Sequence, residues 1–385
     1  MKPPIPFNRP YTDDREVQAA ATVLRSGVLR GDGYASKRVQ ELLRQDTGAQ
    51  FAFFTTSCTH ALEIAILTLD IKPGDEVIMP SFTFVSTANA VVLQGGVPVF
   101  ADILPGTLNL DMDDVERKIS SRTKAIIPVH YAGVSVDMDA LTKISAKYGI
   151  KIIEDAAQGV DAYYKNQHLG TLGDIGCLSF HDTKNITCGE GGAFLTNDEK
   201  IARKAEIIRE KGTNRSAFLR GEVDKYTWIN RGSSYIQSDI LAGILEAQWV
   251  KREEIRSLRE KVWMEYHRSL ESFEHARWLS RPEIPDYART NYHTYFFTTR
   301  REEDRDPLLD ALKKAGILAT FHYVPLHSSP FGRSICKTSS DLPQTDKLSN
   351  SLIRLPIYPG LHDTHPDFAK RVVNVLRTFF TQVKK

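Results

Sequence analysis

Two residues of this chain have the chemical types and the settings of a catalytic pair. Lys184 lies in a small polar loop between Ser179 and the glycine-rich residues 189–192, and Asp155 ends an apolar stretch typical of a buried strand. A lysine amine can form a Schiff base with the aldehyde of pyridoxal 5′-phosphate (PLP), and a carboxylate can keep the pyridine nitrogen protonated. The pair therefore suggests PLP chemistry. Taken singly, each residue is better explained as a surface lysine or as an acid at a helix start, so the case depends on further segments.

The elements around this pair follow a repeated strand–helix pattern. Much of the N-terminal half alternates short apolar runs with amphipathic stretches, and residues 137–148 are predicted to be a helix that Gly149 ends. Such units form a mostly parallel sheet with helices on both faces, and ligands bind beyond the carboxyl ends of its strands. Asp155 and Ser179 fall at that edge, with Lys184 just beyond it. The predicted strands are residues 76–79, 97–101, 125–130, 150–154, 176–180 and 193–196.

The length of the chain predicts two domains, because 385 residues exceed what one core usually holds. Helices are predicted at residues 200–211 and 238–261, and the second is long enough to lead into another domain. We predict an α/β fold with a large domain over residues 1–250 and a small C-terminal α/β domain over residues 251–385. The elements predicted in the small domain are a strand at 295–298, a helix at 308–315, a strand at 319–324 and a final helix at 367–380.

Composition argues against several classes of protein. A net charge of +2 gives no strong field for nucleic acid or anionic membrane, and no apolar stretch is long enough to span a bilayer. The first residues lack the apolar core of a signal peptide. We therefore expect a cytoplasmic protein with no nucleic-acid or membrane partner and no metal. A reducing compartment also fits the four scattered cysteines, which are Cys58, Cys177, Cys188 and Cys336.

A PLP enzyme must also hold a phosphate dianion, and the free N–H groups at a helix N-terminus suit that task. A small polar loop opens an apolar helix here, so the amides near Cys58, Thr59 and His60 are candidates. The alternative is an ordinary N-cap by Ser57 or Thr59. The hydroxyl of Ser179 is a further candidate for the same phosphate.

The cofactor ring needs an apolar cover and a partner for its hydroxyl group. Phe84 follows a predicted strand and is a candidate to cover the ring, although most such phenylalanines belong to the core. Gln158 lies three residues after Asp155, close enough to hydrogen-bond the ring hydroxyl.

Taken together, these segments resemble the DegT/DnrJ/EryC1/StrS sugar aminotransferases, a family of fold-type I PLP enzymes. The resemblance extends over nearly the whole chain and implies the α/β fold predicted above, PLP as cofactor, and a homodimer whose subunits share each active site. The matching segments, in chain order, are residues 26–27, 31–33, 57–59, 74–77, 80–84, 128–133, 154–158, 179–181, 184–185 and 190–192.

The resemblance also implies a role for each matched residue. Lys184 is implied to be the Schiff-base lysine and Asp155 the partner of the pyridinium nitrogen, so these two are the catalytic residues. The implied cofactor contacts are Cys58, Thr59, His60, Phe84, Asp155, Gln158, Ser179 and Lys184. The implied substrate contacts are Gly31, Asp32, Tyr131, Lys211, Arg215, Lys225 and Tyr323.

One part of the family pattern differs in this chain. In many relatives an asparagine from the neighbouring subunit completes the phosphate site within a Gly-Tyr-Asn-x-Arg pattern. Here Ser234 occupies the position of that asparagine, and Ile236 the position of the arginine. The segment 232–238 is our candidate for the contribution of the partner subunit, and whether Ser234 or Ser233 takes over the contact is left open.

Two segments, residues 206–228 and 321–327, are similar to the transaminases that make dTDP-4-amino-4,6-dideoxygalactose for cell-surface polysaccharides. This similarity implies the reaction of dTDP-4-dehydro-6-deoxy-D-glucose with L-glutamate, giving the amino sugar and 2-oxoglutarate. A nucleotide diphosphate can use clustered basic groups, although a solvated basic helix end explains each of them about as well. The basic cluster consists of Arg209, Lys211, Arg215, Arg220 and Lys225.

Other functions compete with this one. Amination at C3 of a dTDP-3-keto-6-deoxyhexose, or C4 amination giving the gluco epimer, would use the same residues near the cofactor. A PLP-dependent sugar dehydratase typically has histidine in place of the lysine, so Lys184 argues against it. A non-catalytic PLP-binding regulator is disfavoured because the chain has both Lys184 and Asp155 and no strongly basic segment.

Overall fold

The computed structural model describes residues 3–335 and 341–383, so Cys336 lies outside the described residues. Within those ranges no helix combines the length and the apolar character needed to cross a membrane. Cys58, Cys177 and Cys188 are buried free thiols. The cytoplasmic location stays a prediction.

The strands are short, and most of them are buried. In chain order they are β1 (Phe51–Thr55), β2 (Glu76–Pro80), β3 (Val97–Ala101), β4 (Thr123–Ile126), β5 (Lys151–Ala156), β6 (Tyr163–Tyr164), β7 (Gln167–His168), β8 (Ile175–Ser179), β9 (Gly192–Thr196), β10 (Leu279–Ser280), β11 (Ala288–Arg289), β12 (Tyr295–Thr299) and β13 (Leu352–Leu355).

The helices lie between these strands and after them. In chain order they are α1 (Asp14–Ser26), α2 (Tyr34–Thr47), α3 (Cys58–Thr68), α4 (Val85–Val92), α5 (Met112–Arg117), α6 (Met138–Tyr148), α7 (Glu199–Arg209), α8 (Arg215–Leu219), α9 (Asp239–Val250), α10 (Arg252–Ser269), α11 (Glu271–His275), α12 (Arg305–Lys314), α13 (Pro330–Ile335), α14 (Pro343–Ser351), α15 (Leu361–Thr364) and α16 (Phe368–Val383).

A seven-stranded central sheet confirms the predicted α/β fold. Its strand order is β1-β9-β8-β5-β4-β2-β3. The pairs from β3 through β2, β4 and β5 to β8 are parallel, and only β9 runs antiparallel to its neighbours β8 and β1. The carboxyl ends of β5 and β8 therefore meet at one edge, and this edge holds the candidate site.

The predicted helix at residues 137–148 is confirmed as α6, with both of its end signals. The Asp137 side chain accepts a hydrogen bond from the Ala140 amide, as an N-cap does. Gly149 follows the helix at φ 67°, in the left-handed region where glycine has no Cβ penalty.

Two predicted helical or strand spans differ from the structure. The predicted helix 238–261 is divided at Lys251, whose side chain is 0 % exposed and forms an ion pair of 2.6 Å with Glu16. The need to pair that buried ammonium overrides the helical sequence pattern. The predicted strand 319–324 is not a strand: only Thr320 forms a bridge, with Arg354, and the chain then turns towards the candidate site.

Two further strand predictions were incomplete. The strand predicted at 125–130 ends at Ile126, because Pro128 has no N–H to continue the ladder, and only Val129 forms a further bridge, to Asp155. Strand β1 was not predicted, although its five residues are mostly apolar.

A second core lies in the C-terminal part of the chain. A three-stranded sheet in the order β10-β12-β13 packs with α10, α12 and α16 around buried residues such as Trp263 and Tyr295. Ile5, from the N-terminal segment, is also buried in this cluster. A division of the chain near residue 250 stays a proposal.

Candidate active site

A cavity of about 500 Å³ lies at the carboxyl edge of the central sheet. Asp155 and Ser179 reach it from the ends of β5 and β8, and Lys184 reaches it from the loop that follows β8. Tyr323 and Arg354, from the C-terminal part of the chain, line the same cavity. Residues that are far apart in sequence thus surround one space.

Asp155 is a buried carboxylate whose hydrogen-bond donors among the described residues are all neutral. Its Oδ2 accepts from Thr87 Oγ1 at 2.8 Å and its Oδ1 from the Ala157 amide at 3.2 Å, while Thr83 Oγ1 lies 2.9 Å from Thr87 Oγ1. No ion pair of Asp155 is found within residues 3–335 and 341–383. Burial raises the pKa of this carboxyl group. A cationic nitrogen from a ligand would therefore be well placed to neutralise it.

Lys184 has a half-buried side chain in a loop that hydrogen bonds hold firmly. Its amide donates to the carbonyl of His181 at 2.9 Å. The side chain of Asn185 donates to the Asn291 carbonyl and lies 2.9 Å from Nδ1 of His293. Burial lowers the pKa of the Lys184 amine. A lowered pKa increases the share of neutral, nucleophilic amine near neutral pH.

The first turn of α3 forms the anion-binding end of the cavity. Ser57 Oγ accepts from the His60 amide at 3.1 Å, so Ser57 is the N-cap of α3. First-turn amides have no partner within a helix, which leaves those of Cys58 and Thr59 for a ligand. A Cβ on Gly192 would overlap the backbone of Ser57 and Cys58, so a larger residue there would displace this turn.

His60 is placed differently from the other predicted phosphate contacts. Its amide already donates a hydrogen bond to Ser57 Oγ, and Nδ1 of its ring is hydrogen-bonded to Thr56 Oγ1. The centroid of its ring lies 4.9 Å from that of Tyr235. His60 does not line the cavity, whereas Ser57, Cys58 and Thr59 do. Its predicted role as a phosphate contact stays a prediction.

Three side chains surround the middle of the cavity. Phe84 lines it with 58 % of its surface exposed, so the ring is not part of the core. Gln158 accepts a hydrogen bond of 2.7 Å from the Ala132 amide and donates one of 3.2 Å to Tyr323 Oη. This pairing fixes the orientation of the Gln158 amide towards the cavity.

The residues fit PLP. The α3 turn and Ser179 suit a phosphate, the uncompensated Asp155 suits a protonated pyridine nitrogen, and Lys184 faces the same space. Among the described residues no group of His, Cys, Asp and Glu could hold a metal ion.

Several predicted substrate residues lie outside the cavity of their own chain. Asp32 forms an ion pair with Arg209, and Arg215 forms one with Glu210, so the charges of Asp32 and Arg215 are already paired within the chain. A Cβ on Gly31 would overlap the backbone of Gln237. Tyr131 is buried behind the cavity, with its hydroxyl 3.0 Å from His322 Nδ1. Lys211 and Lys225 are exposed.

The structure also brings residues to the site that sequence reasoning did not assign, and four of them have polar or charged side chains of interest. They are Thr87, which holds Asp155, and the cavity-lining His293, His322 and Arg354. Only Arg354 left a signal in the sequence, as a single charge in the apolar strand β13. The other three are polar residues in segments where such residues are common.

Comparisons with known proteins agree with this geometry. A model of the DegT/DnrJ/EryC1/StrS aminotransferase family matches residues 10–377. An uncharacterised protein of Methanocaldococcus jannaschii, MJ1066, is 36% identical over 385 residues, which covers 98% of each chain.

Solved structures share the whole fold. The aminotransferase TlmJ from Streptoalloteichus hindustanus is 27% identical with a TM-score of 0.89, covering 99% of this chain and 100% of TlmJ. DesV from S. venezuelae, solved in complex with a ketimine intermediate, is 29% identical with a TM-score of 0.88, covering 98% of this chain and 99% of DesV.

Proposed function

This chain belongs to the DegT/DnrJ/EryC1/StrS aminotransferase family, and from that premise we propose that it aminates C4 of dTDP-4-dehydro-6-deoxy-D-glucose with L-glutamate. It is a PLP-dependent sugar aminotransferase. The observation that carries the proposed chemistry is the single cavity in which Lys184 faces the uncompensated Asp155. The choice of sugar rests on segments 206–228 and 321–327, of which His322 and Tyr323 line that cavity.

The side chains divide the chemistry among them. When bound, PLP withdraws electrons from the carbon that carries the amino group. Lys184 is the base that removes the proton from the donor carbon and the acid that returns a proton, since its amine is close by and has a lowered pKa. Asp155 holds positive charge on the ring nitrogen, and Thr87 fixes its carboxylate. The expected products are dTDP-4-amino-4,6-dideoxy-D-galactose and 2-oxoglutarate.

The product identifies the reaction. Purified enzyme with PLP, L-glutamate and dTDP-4-dehydro-6-deoxy-D-glucose is expected to form a dTDP-amino sugar whose NMR spectrum shows an axial amine at C4. An equatorial amine at C4 would mean that the product is the gluco epimer, and the assignment of amination to C4 would stand. Amination of a dTDP-3-keto-6-deoxyhexose, with no turnover of the 4-keto sugar, would overturn the C4 assignment and keep the aminotransferase class.

An exposed apolar surface supports the proposed homodimer. The segment 218–229 exposes six large apolar side chains, the most open being Trp228 at 77 %. Such patches mark protein interfaces. Ser233 and Ser234 are exposed beside this patch. The Ser233 amide donates a hydrogen bond to the Ile208 carbonyl of α7, and the Ser233 carbonyl accepts one from the Lys211 amide. We propose that Lys225, an exposed lysine of this segment, contacts the substrate in the cavity of the partner subunit.

A complementation experiment tests the shared site. Lys225→Gln is expected to raise the KM for the sugar nucleotide and leave that for L-glutamate unchanged, because one charge-assisted contact of roughly 1.5–3 kcal/mol is lost. Arg220→Gln is the control, since Arg220 lies on the same segment but its charge is already paired with Glu206 and Glu222.

The second step uses heterodimers of Lys184→Ala and Lys225→Gln subunits, purified through two tags. If the segment acts in the partner's cavity, one of the two sites is complete and about half of the wild-type activity returns at low sugar concentration. An active monomer in light scattering, or heterodimers no better than the Lys225→Gln dimer, would contradict the shared site.

A further inference from the structure

Resting on the proposed transamination, we propose that His293 is a positioning residue, whose Nε2 receives the amine of Lys184 while this lysine carries no cofactor. His293 lies just before β12, and its half-buried side chain lines the cavity. In that state Lys184 has to present its amine to the donor carbon. A fixed acceptor beside the amine would hold it in one orientation.

The hydrogen bonds of His293 determine which ring nitrogen carries the proton. The side-chain N–H of Asn185 donates to the Asn291 carbonyl at 2.9 Å, and a carbonyl can only accept. Asn185 Oδ1 therefore faces His293, where it lies 2.9 Å from Nδ1 and accepts a hydrogen bond from it. Since Nδ1 carries the proton, Nε2 of the neutral ring keeps a free lone pair.

The ring is also held through its backbone. The His293 amide donates to Asn291 Oδ1 at 3.0 Å, and Asn291 Nδ2 donates to the carbonyls of Gln158 and Val160 at 2.8 and 2.7 Å. His293 is thereby tied to the residue that follows Lys184 and to the loop that follows β5. Both of these parts of the chain carry groups of the proposed site, so the ring has a fixed place relative to them.

The ring stays neutral near pH 7. Burial, and after it the positive charge of Lys184, keeps the pKa of His293 well below its usual value. Arg259 and Arg354 act in the same direction. Nε2 has no hydrogen-bond partner within residues 3–335 and 341–383, so its lone pair is available to a donor in the cavity.

The surroundings of His293 identify that donor. Lys184 and His293 line one small void beside the cavity. The other polar side chains at this void are the amides of Gln158, Asn185 and Asn291. Each of these amides already donates a hydrogen bond, either to a tyrosine or to a backbone carbonyl. Among the residues that line the void, the Lys184 amine is the side-chain donor that remains.

A hydrogen bond to Nε2 gives the released amine a direction. The long lysine side chain has several rotatable bonds, so the amine has no fixed orientation once it is released. One N–H donated to His293 leaves the lone pair of the amine for the proton of the donor carbon. The amine takes that proton, keeps its bond to Nε2 as an ammonium group, and later returns the proton. His293 gains and loses no proton and acts only through Lys184.

The same bond has a defined effect on the pKa of Lys184. Burial is the main cause that lowers this pKa, and Arg354 adds to it, whereas Cys58 and Asp155 raise it. A hydrogen bond to neutral His293 favours the charged amine and therefore also raises the pKa. Removal of the acceptor is expected to lower it.

Two substitutions separate the two nitrogens of the ring. Asparagine places an N–H near the position of Nδ1 and can still donate to Asn185, but it has no atom at the position of Nε2. Glutamine places its amide oxygen near the position of Nε2 and loses the bond to Asn185. His293→Asn therefore removes the proposed contact, and His293→Gln keeps it.

The pKa of Lys184 is the first readout, measured on enzyme loaded with pyridoxamine 5′-phosphate, in which this lysine carries no cofactor. Labelling with acetic anhydride over a range of pH, with mass spectrometry of the peptide that contains Lys184, gives its value. His293→Asn is expected to lower it by about one to two units, because a hydrogen bond to a charged group is lost. His293→Gln is expected to stay close to the wild type. The exposed Lys200 is the internal reference.

Single turnovers with L-glutamate give the second readout. His293→Asn is expected to slow the proton transfer about 10- to 100-fold, as a misplaced catalytic group does, and to leave the binding of glutamate unchanged. His267→Gln is the matched control, because His267 stacks on Trp263 in the C-terminal core but does not line the cavity. It is expected to match the wild type in both readouts.

Three results would overturn the proposal. They are an unchanged pKa of Lys184 in His293→Asn, a pKa lowered as far in His293→Gln as in His293→Asn, and weakened binding of glutamate or sugar nucleotide at an unchanged pKa. If thermal unfolding shows that His293→Asn does not fold, His293→Gln decides: a wild-type pKa of Lys184 supports the proposal, and a lowered one overturns it.

The failure of this proposal differs from a failure of the proposed function. Both readouts use glutamate and the cofactor without the sugar nucleotide. An enzyme that gives the expected readouts but does not aminate the keto sugar would refute the proposed substrate and leave the role of His293 in place.

Discussion

Lys184→Ala is expected to abolish transamination and to remove the visible absorption of the lysine-bound cofactor. The substitution deletes both the covalent attachment of PLP and the amine that moves the proton. Proton transfer by a positioned side chain contributes about 10²- to 10⁴-fold by itself, so activity should fall by at least that factor. Thermal unfolding should change little, because the Lys184 side chain is only half-buried and donates no hydrogen bond within the described residues.

The control for this prediction is Lys200→Ala, an exposed lysine on α7. It is expected to retain both the absorption band and the activity. Small primary amines added to Lys184→Ala should restore part of the turnover, because they can replace the missing base. A Lys184→Ala enzyme that keeps the band and turns over would show that the catalytic lysine lies elsewhere.

Asp155→Asn is expected to bind PLP and to react about 10²- to 10³-fold more slowly, the usual cost of removing one preorganised electrostatic contact. Asparagine keeps the shape and can still meet Thr87, but it cannot hold a positive charge on the ring nitrogen. Single-turnover rates with L-glutamate, together with the pH dependence of the cofactor absorption, measure the effect.

Glu154→Gln is the matched comparison, because this neighbouring acid points to the opposite side of β5. Its carboxylate accepts from the amides of Gly170, Leu172 and Gly173 and lies 2.9 Å from His130 Nε2. The loss of these charge-assisted bonds should lower the unfolding temperature and leave the pH dependence of the cofactor absorption unchanged. Near-normal turnover in Asp155→Asn would contradict the assigned role of Asp155.

Much of the framework is determined by the sequence itself. The α6 helix, its cap Asp137 and its stop at Gly149 depend on neighbours within a few residues, so local chemistry decides them. The parallel strands follow from apolar runs whose burial on both faces leaves few other arrangements. Lys184 and Asp155 were identified because each lies in a short, distinctive segment whose residues constrain one another.

Only the tertiary structure decided which charges meet in the cavity. The sequence does not show which arginine has an anionic partner. Arg215 pairs with Glu210, whereas Arg354 lines the site and has no ion pair within the part of the chain that the structure describes. The direction of a long side chain depends on groups hundreds of residues away, such as Phe7 for Arg354. The break at Lys251 has the same origin, since its partner Glu16 is near only after folding. A pattern of residue types does not contain those distances, and therefore could not predict them.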